Sequence, residues 1–268
     1  MSKICLITAL PSEARPLISH FRLKNAAHSH LRLYESPNCA LLQCGVGKLN
    51  AAASTAAMLA HWPNVDAIIN VGISGADRPI GETLLAHQIK DGGSGQKWFP
   101  HLPAQKHLPD TQTINVVTVD KPDTNYSKDT AFDMEAAGIV AAATKHLDLA
   151  FIQCVKVVSD NTEHNINNIN MQLVTESISR AVPVIEKVMN SLPFYSQPNV
   201  QSIHDCVEVV VRQIHHTETQ KHQLKKLLQR YCALNGALPP VSSLTENTTA
   251  KTTLTKLQNQ MRDVEVSY

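Results

Sequence analysis

Apolar positions in the first two-thirds of the chain follow two rhythms. KICLITA (3–9), CALLQCG (39–45), DAIINVG (66–72), INVVTVD (114–120) and AFIQCVKVVSD (150–160) are short, nearly continuous β-branched runs that predict buried strands. KLNAAASTAAMLAHW (48–62), the alanine-rich run over 133–146 and a segment over roughly 168–191 predict helices. Continuous apolar strands separated by helices predict a sheet covered on both faces, an α/β fold. A passage punctuated by Gly and Pro (91–110) carries no regular pattern.

The pattern changes from about Ser196. IHDCVEVVVRQIHHTETQKHQLKKLLQRYCAL (203–234) predicts one long helix, with Val207, Val210, Ile214, Leu224, Leu228 and Tyr231 near one face. Thr217 and Lys221 interrupt that stripe, which argues against a long coiled coil. NGALPPVSSLTENTTAKTT (235–253) has the composition of a linker, and a short helix over 254–264 follows. The expected organisation is an α/β domain over 1–195 and a helical extension over 196–268.

Charge removes several function classes. The chain has 24 Lys and Arg against 23 Asp and Glu, so no polyanion-binding surface is expected. The extension holds eight basic against six acidic residues, too small a surplus to point to nucleic acid. No run approaches the length of a membrane span. The six cysteines are scattered without C-x-x-C or zinc spacing, and the thirteen histidines form no H-E-x-x-H set. Reduced thiols, a cytoplasmic location and no metal or cofactor are the expectations.

In open α/β sheets ligands sit beyond the carboxyl ends of the strands. Glu13 follows the first strand in LPSEARP, GVGK follows the second, and ISGADRP follows the third. Asp133-Met134-Glu135 opens a helix, and the last strand ends in Ser159-Asp160. Each acid has a local alternative: Glu13 and Glu135 suit the first turn of a helix, and Asp160 suits a cap or turn. Their coincidence on one sheet edge points to a site. Gly45 and Gly47 match neither a dinucleotide fingerprint nor a Walker loop, because Asn50 and Leu49 break those patterns. They suit a tight turn and close backbone approach.

In order, ICLITALPSEA, CGVGKLNAAAS, DAIINVGISGA, FDMEAAGIVAAA and VKVVSDNTE resemble the nucleoside phosphorylase and nucleosidase superfamily. The likeness is closest to the methylthioadenosine/S-adenosylhomocysteine nucleosidases, over about residues 3 to 192. The resemblance implies a central mixed, mostly parallel sheet flanked by helices, and cleavage of a purine N-glycosidic bond. It gives Asp160 the role of proton donor to the purine and Glu13 that of activating water. Met134 and Glu135 would hold the ribose, and Lys156 would keep a cation near water or ribose where nucleosidases usually have Arg. Ser159, Ser74 and Gly75 join the substrate-binding set, Ser74 compensating for Ile73 where the family commonly has Ser.

Superfamily phosphorylases hold phosphate with a Gly- and Arg-containing loop after the first strand. Here that loop is ALPSEARP, with no glycine and Arg15 displaced, and Asn70 stands where another phosphate-binding Arg is usual. The resemblance therefore favours hydrolysis of 5′-methylthioadenosine, S-adenosylhomocysteine or 5′-deoxyadenosine. A non-catalytic nucleoside-binding relative and a phosphorylase are the alternatives. The chain is shorter than usual between Gly75 and Met134. Trp98 and Phe99, in that stretch, either stack on a base or anchor their loop. A homo-oligomer, with a dimer favoured, is the family's habit.

Overall fold

The computed structural model describes residues 3–26, 30–62, 65–102, 108, 110–192, 200–235, 237–246 and 248–262. Two compact units divide the chain, one over Lys3–Leu192 and one formed from Pro193 onward.

The first unit opens with β1 (Lys3–Thr8), α1 (Pro11–His20), β2 (Lys24–Asn25), β3 (Arg32–Glu35) and β4 (Cys39–Gln43). It continues through α2 (Lys48–His61), β5 (Val65–Gly75), β6 (Thr83–Asp91), β7 (Lys97–Trp98), β8 (Gln112–Thr118) and β9 (Thr130–Asp133). α3 (Ala136–Ala143), β10 (Ile152–Asp160) and α4 (Met171–Ser191) complete it. All ten strands form one mixed sheet. Parallel pairings join its long strands, β1 to β4 and β5, β5 to β10, and β6 to β8.

Part of the sheet closes on itself. β5 pairs with both β10 and β9, β10 pairs with β6, and β6 reaches β9 through β8. A closed ring leaves no free edge and brings strands distant in sequence side by side at its rim. Every residue of β10 is buried, as are ten of the eleven in β5, which is why both read as unbroken apolar runs.

α1 packs with α4, and α2 with α3. The second pairing is unusually close. A methyl group on Gly138 would collide with the backbone carbonyl oxygen of Lys48 and sit 3.2 Å from the amide nitrogen of Ala52. Ala51 of α2 and Ala136, Ala137 and Ala143 of α3 are buried, and their small side chains suit a close approach of backbones.

The sequence pattern omits β2, β3, β6, β7 and β9. In β6, TLLAHQIKD mixes His87 and Gln88 into its apolar run, and β9 is only four residues long. The alanine-rich helix also begins later than its pattern, because Asp133 belongs to β9 and Glu135 caps α3.

The second unit corrects two expectations. The long helix is two helices, α5 (Val200–Gln213) and α6 (Glu218–Asn235). The break is a reciprocal cap: the Thr217 hydroxyl accepts the Gln220 amide proton at 3.3 Å, and the Gln220 side chain accepts the Thr217 N–H at 2.9 Å. The supposed linker also contains structure, α7 (Val241–Thr245) and the start of α8 (Ala250–Arg262). Leu244, Leu254 and Leu257 join Val207, Val210, Leu224 and Leu228 in a core of this unit's own. Among the described residues no helix is long and apolar enough to cross a membrane.

Gly138→Ala tests the α2–α3 contact. Alanine is favoured over glycine inside a helix by about 1 kcal/mol, whereas overpacking against a backbone costs roughly 1–3 kcal/mol. Urea unfolding should show a net loss of stability with an unchanged m-value.

Candidate active site

One end of the closed ring aligns the acids. In the strand register Gly75 pairs with Asp160 on one side and Phe132 on the other, and Thr118 pairs with Asp133. The pairing of β10 with β5 slips between Val158 and Asp160, so Ser159 is an extra residue. In a regular strand neighbouring side chains point to opposite faces. The bulge lets both Ser159 and Asp160 line the same cavity, a common use of bulges beside sites.

That cavity opens to solvent, and its empty space, the open solvent included, is about 600 Å³. Glu13, Ser74, Gly75, Met134, Glu135, Ser159 and Asp160 all line it. Apolar groups, among them Val46, Val119, Phe132, Ile166 and Ile169, complete the wall. No Lys, Arg or His is among the described residues that line it.

Three of the expected site residues lie elsewhere. Lys156 is buried beneath the wall, its Nζ 2.7 Å from Asp133 Oδ2. Trp98 and Phe99 do not reach the cavity. The two-residue strand β7 pairs Trp98 with Ile89 and turns its ring into the core, leaving Phe99 61% exposed. The anchoring alternative describes Trp98.

Glu13 sits in the first turn of α1, yet its carboxylate serves more than that helix. Oε2 accepts the N–H groups of Ala9 (2.9 Å) and Leu10 (2.8 Å), and Oε1 accepts the N–H of Ile73 (3.0 Å). Burial raises its pKa, while the backbone donors and the Lys156 charge pull the other way. Gly72 makes the approach possible. A Cβ there would stand 3.1 Å from Glu13 Oε1 and 3.5 Å from Lys156 Nζ.

Asp133 is the structural member of the Asp-Met-Glu triplet. Its Oδ2 accepts from Lys156 and from the N–H groups of Ala136 (2.8 Å) and Glu135 (3.3 Å), and its Oδ1 accepts from Thr118 Oγ1 at 2.6 Å. It thus ties the start of α3 to a buried cation. Lys156 stays protonated: burial opposes its charge, but Asp133 and the other nearby acids raise its pKa.

Glu135 has a single donor among these contacts, the N–H of Gly47 at 2.7 Å from Oε1. Gly45 and Gly47 both have positive φ, +83° and +98°, so the GVG turn requires glycine and presents that N–H. Burial first, and then the neighbouring Asp133, push the Glu135 carboxyl up to about 7.

Asp160 is held by hydroxyls. Ser159 Oγ donates to Oδ1 at 2.5 Å and Tyr126 Oη donates to Oδ2 at 2.7 Å. Sequence reasoning did not single out Tyr126. Its only signal was an aromatic ring in the polar stretch DKPDTNYSKD (120–129) of an aromatic-poor chain. Ser74 Oγ is buried and has no hydrogen-bond partner. Asn70 bonds to the Ile7 carbonyl and to Cys154 Sγ inside the sheet, away from the cavity.

A site built from acids at strand ends accords with what the chain is similar to. The Phosphorylase superfamily model matches residues 3–129. A 5′-methylthioadenosine/S-adenosylhomocysteine nucleosidase of Chromohalobacter salexigens is 29% identical over 132 residues, 43% of this chain and 55% of that relative. The chain therefore matches about half the length of that relative. Solved structures agree in fold. The Streptococcus pneumoniae nucleosidase of the same name, bound to the transition-state inhibitor MT-ImmA, superposes with a TM-score of 0.60 at 21% identity, covering 71% of this chain and 99% of that one. The apo 5′-methylthioadenosine nucleosidase of Arabidopsis thaliana gives 0.62 at 20% identity over 75% of this chain and 98% of that one. Residues 3–129 thus resemble the Phosphorylase superfamily, and the Lys3–Leu192 unit shares its fold with solved methylthioadenosine/S-adenosylhomocysteine nucleosidases.

Proposed function

We propose that the Lys3–Leu192 unit hydrolyses the N-glycosidic bond of an adenosine-type purine nucleoside. The observation that carries this reading is the convergence of Glu13, Glu135 and Asp160 on one cavity with no cation on its described wall. A purine leaves as a protonated base, and the sugar gains positive charge as the bond stretches. Asp160 supplies the proton, Glu13 orients and deprotonates the attacking water, and Glu135 holds the ribose hydroxyls and stabilises the cationic sugar. The division of labour resembles that of the paired carboxylates of glycosidases. Met134, Ser159, Ser74 and Gly75 shape the walls around these groups. Lys156 acts from below, as the counter-charge of Asp133.

Water rather than phosphate is the nucleophile in this reading. A phosphate dianion would enter a pocket of carboxylates with no cationic side chain among the described residues that line it. The apolar wall supports a neutral 5′-substituent, so 5′-methylthioadenosine and 5′-deoxyadenosine fit better than the zwitterionic tail of S-adenosylhomocysteine. A nucleosidase of Colwellia psychrerythraea with this fold was solved in complex with adenine, in keeping with an adenine-type base here.

The homodimer belongs to the same reading. α2 turns Leu49, Ala53, Ala56, Ala57 and Ala60 outward, and Leu49 is 82% exposed. A second copy would cover that apolar helix face. The cytoplasmic location rests on six cysteines that form no disulfide among the described residues.

Purified protein incubated with 5′-methylthioadenosine should release adenine at a rate independent of added phosphate. Glu13→Gln and Asp160→Asn should each lower kcat by roughly 100-fold or more while leaving the thermal transition in place. Phosphate dependence would turn the reading to phosphorolysis, and a variant with normal turnover would remove its residue from the chemistry.

The pH profile tests Glu135. Its ionised form stabilises the cationic sugar and predominates above its raised pKa. kcat/KM should therefore climb as pH rises through about 7 and level off above. Glu135→Gln should be slow at every pH and lack that limb.

Light scattering tests the dimer. A charge at Leu49 and another at Ala56 should shift the mass from two chains to one.

A further inference from the structure

Tyr126 lies in the segment joining β8 to β9, outside every motif discussed above. Its hydroxyl donates to Asp160 Oδ2 at 2.7 Å, yet it is not part of the cavity wall, whereas Asp160 is. It therefore touches the carboxyl from outside. Ser159 holds the other oxygen, so the carboxyl plane is pinned at both ends.

The surroundings are built for this contact. A Cβ on Gly75 would lie 2.6 Å from Asp160 Oδ2 and 2.8 Å from Tyr126 Cε1, so glycine there leaves room for both groups at once. The segment is tied down beside the ring. The Ser127 carbonyl accepts the Asp77 N–H at 3.1 Å, and the Lys128 carbonyl accepts Arg78 Nε at 3.0 Å. Burial and the Asp160 carboxylate both raise the phenol's pKa, so Tyr126 stays protonated and able to donate. The same segment contributes Val119, Pro122 and Asp123 to the cavity wall, so an occupant that moves this wall also moves the tyrosine.

We propose that Tyr126 is a positioning residue for Asp160: its hydroxyl holds the carboxyl in one orientation and stabilises the carboxylate left when the proton departs to the purine. This rests on the hydrolase reading above. Each carboxylate oxygen has two lone-pair sites, so a hydroxyl can occupy one while the other carries or releases the transferred proton. In the step, the Asp160 O–H bond breaks and a purine N–H bond forms. The glycosidic electron pair stays with the base, and the Tyr126 proton remains on its oxygen throughout. A donor already in place when the anion appears costs no reorganisation at that moment.

Tyr126→Phe tests it, because it removes one oxygen and keeps the ring against Gly75. Loss of a hydrogen bond to a charged group predicts a fall in kcat of roughly ten- to a hundredfold, with KM for 5′-methylthioadenosine changed by less than about threefold. In an Asp160→Ala background, where no carboxyl is left to hold, the same change should cost nothing further. A crystal structure of Tyr126→Phe should show the Asp160 side chain rotated or in two orientations. A kcat within twofold of the parent, or an equal loss in the Asp160→Ala background, would overturn the proposal and leave the tyrosine a structural part of its segment. If the parent protein releases no adenine, the hydrolase reading fails. The crystal structure then decides alone: a displaced Asp160 upholds the clamp, and an unmoved one overturns it.

Discussion

The molecule depends on how it supplies donors to carboxylates it has buried. Four acids, the buried Glu13, Asp133 and Asp160 and the half-buried Glu135, meet at one end of a closed ring of strands, and Lys156 is buried with them. An unpaired buried carboxylate is costly, so each must be met by donors that the fold itself provides. They are met unequally. Asp133 has an ammonium, a hydroxyl and two N–H groups; Glu13 has three N–H groups; Asp160 has two hydroxyls; Glu135 has one N–H. That grading matches the proposed division of work. The best supplied acid is structural, and the least supplied is held near neutrality, where its charge is available to answer a cation in the cavity.

The donors come from backbone conformations that only particular residues allow. Gly47, at positive φ, turns its N–H to Glu135. Gly72 has no side chain to separate Glu13 from Lys156, and Gly75 has none to separate Asp160 from Tyr126. The bulge at Ser159 breaks strand alternation where Ser159 and Asp160 face the same space. Ring closure adds the last requirement, since it brings Asp160, Gly75, Phe132 and Asp133 to neighbouring places although they lie as much as 85 residues apart.

Much of this was legible in the sequence, for a physical reason. Strands buried on both faces leave continuous apolar runs, so β1, β4, β5 and β10 stood out. β8 showed as a β-branched run though only alternate residues of it are buried, and the acids near the ends of these strands could be named before any geometry. What stayed hidden depended on pairing. β6 and β9 lack a pattern of their own and exist because the ring holds them. Lys156 reads as a site cation by position, but only the register shows Asp133 taking its charge. Tyr126 sits in a polar segment with no period, and its partner is 34 residues away. Trp98 and Phe99 drew notice as aromatics in a loop, but Trp98 ends a two-residue strand with its ring in the core, and Phe99 just past it is exposed to solvent. In the second unit the stripe seen over 203–234 was real, yet Thr217 and Gln220, whose spacing spells a cap, end one helix and begin the next.

Lys156 shows why the wall of the cavity is acidic. A lysine ammonium is a compact charge, and at 2.7 Å Asp133 claims it from beneath. An arginine in its place could fork toward two acceptors, holding Asp133 with one edge and leaving another for a ligand. With lysine, the buried cation closes the structural account and contributes to the site only through its field, lowering the cost of ionising Glu13 and Glu135. The pair is neutral as a unit, so Glu13, Glu135 and Asp160, with Asp123, remain as the charge that an entering molecule meets. Such a cavity favours a substrate that becomes positive as it reacts over a nucleophile that arrives as an anion. The same burial that keeps Lys156 off the wall therefore supports both the oxocarbenium-like sugar and the choice of water.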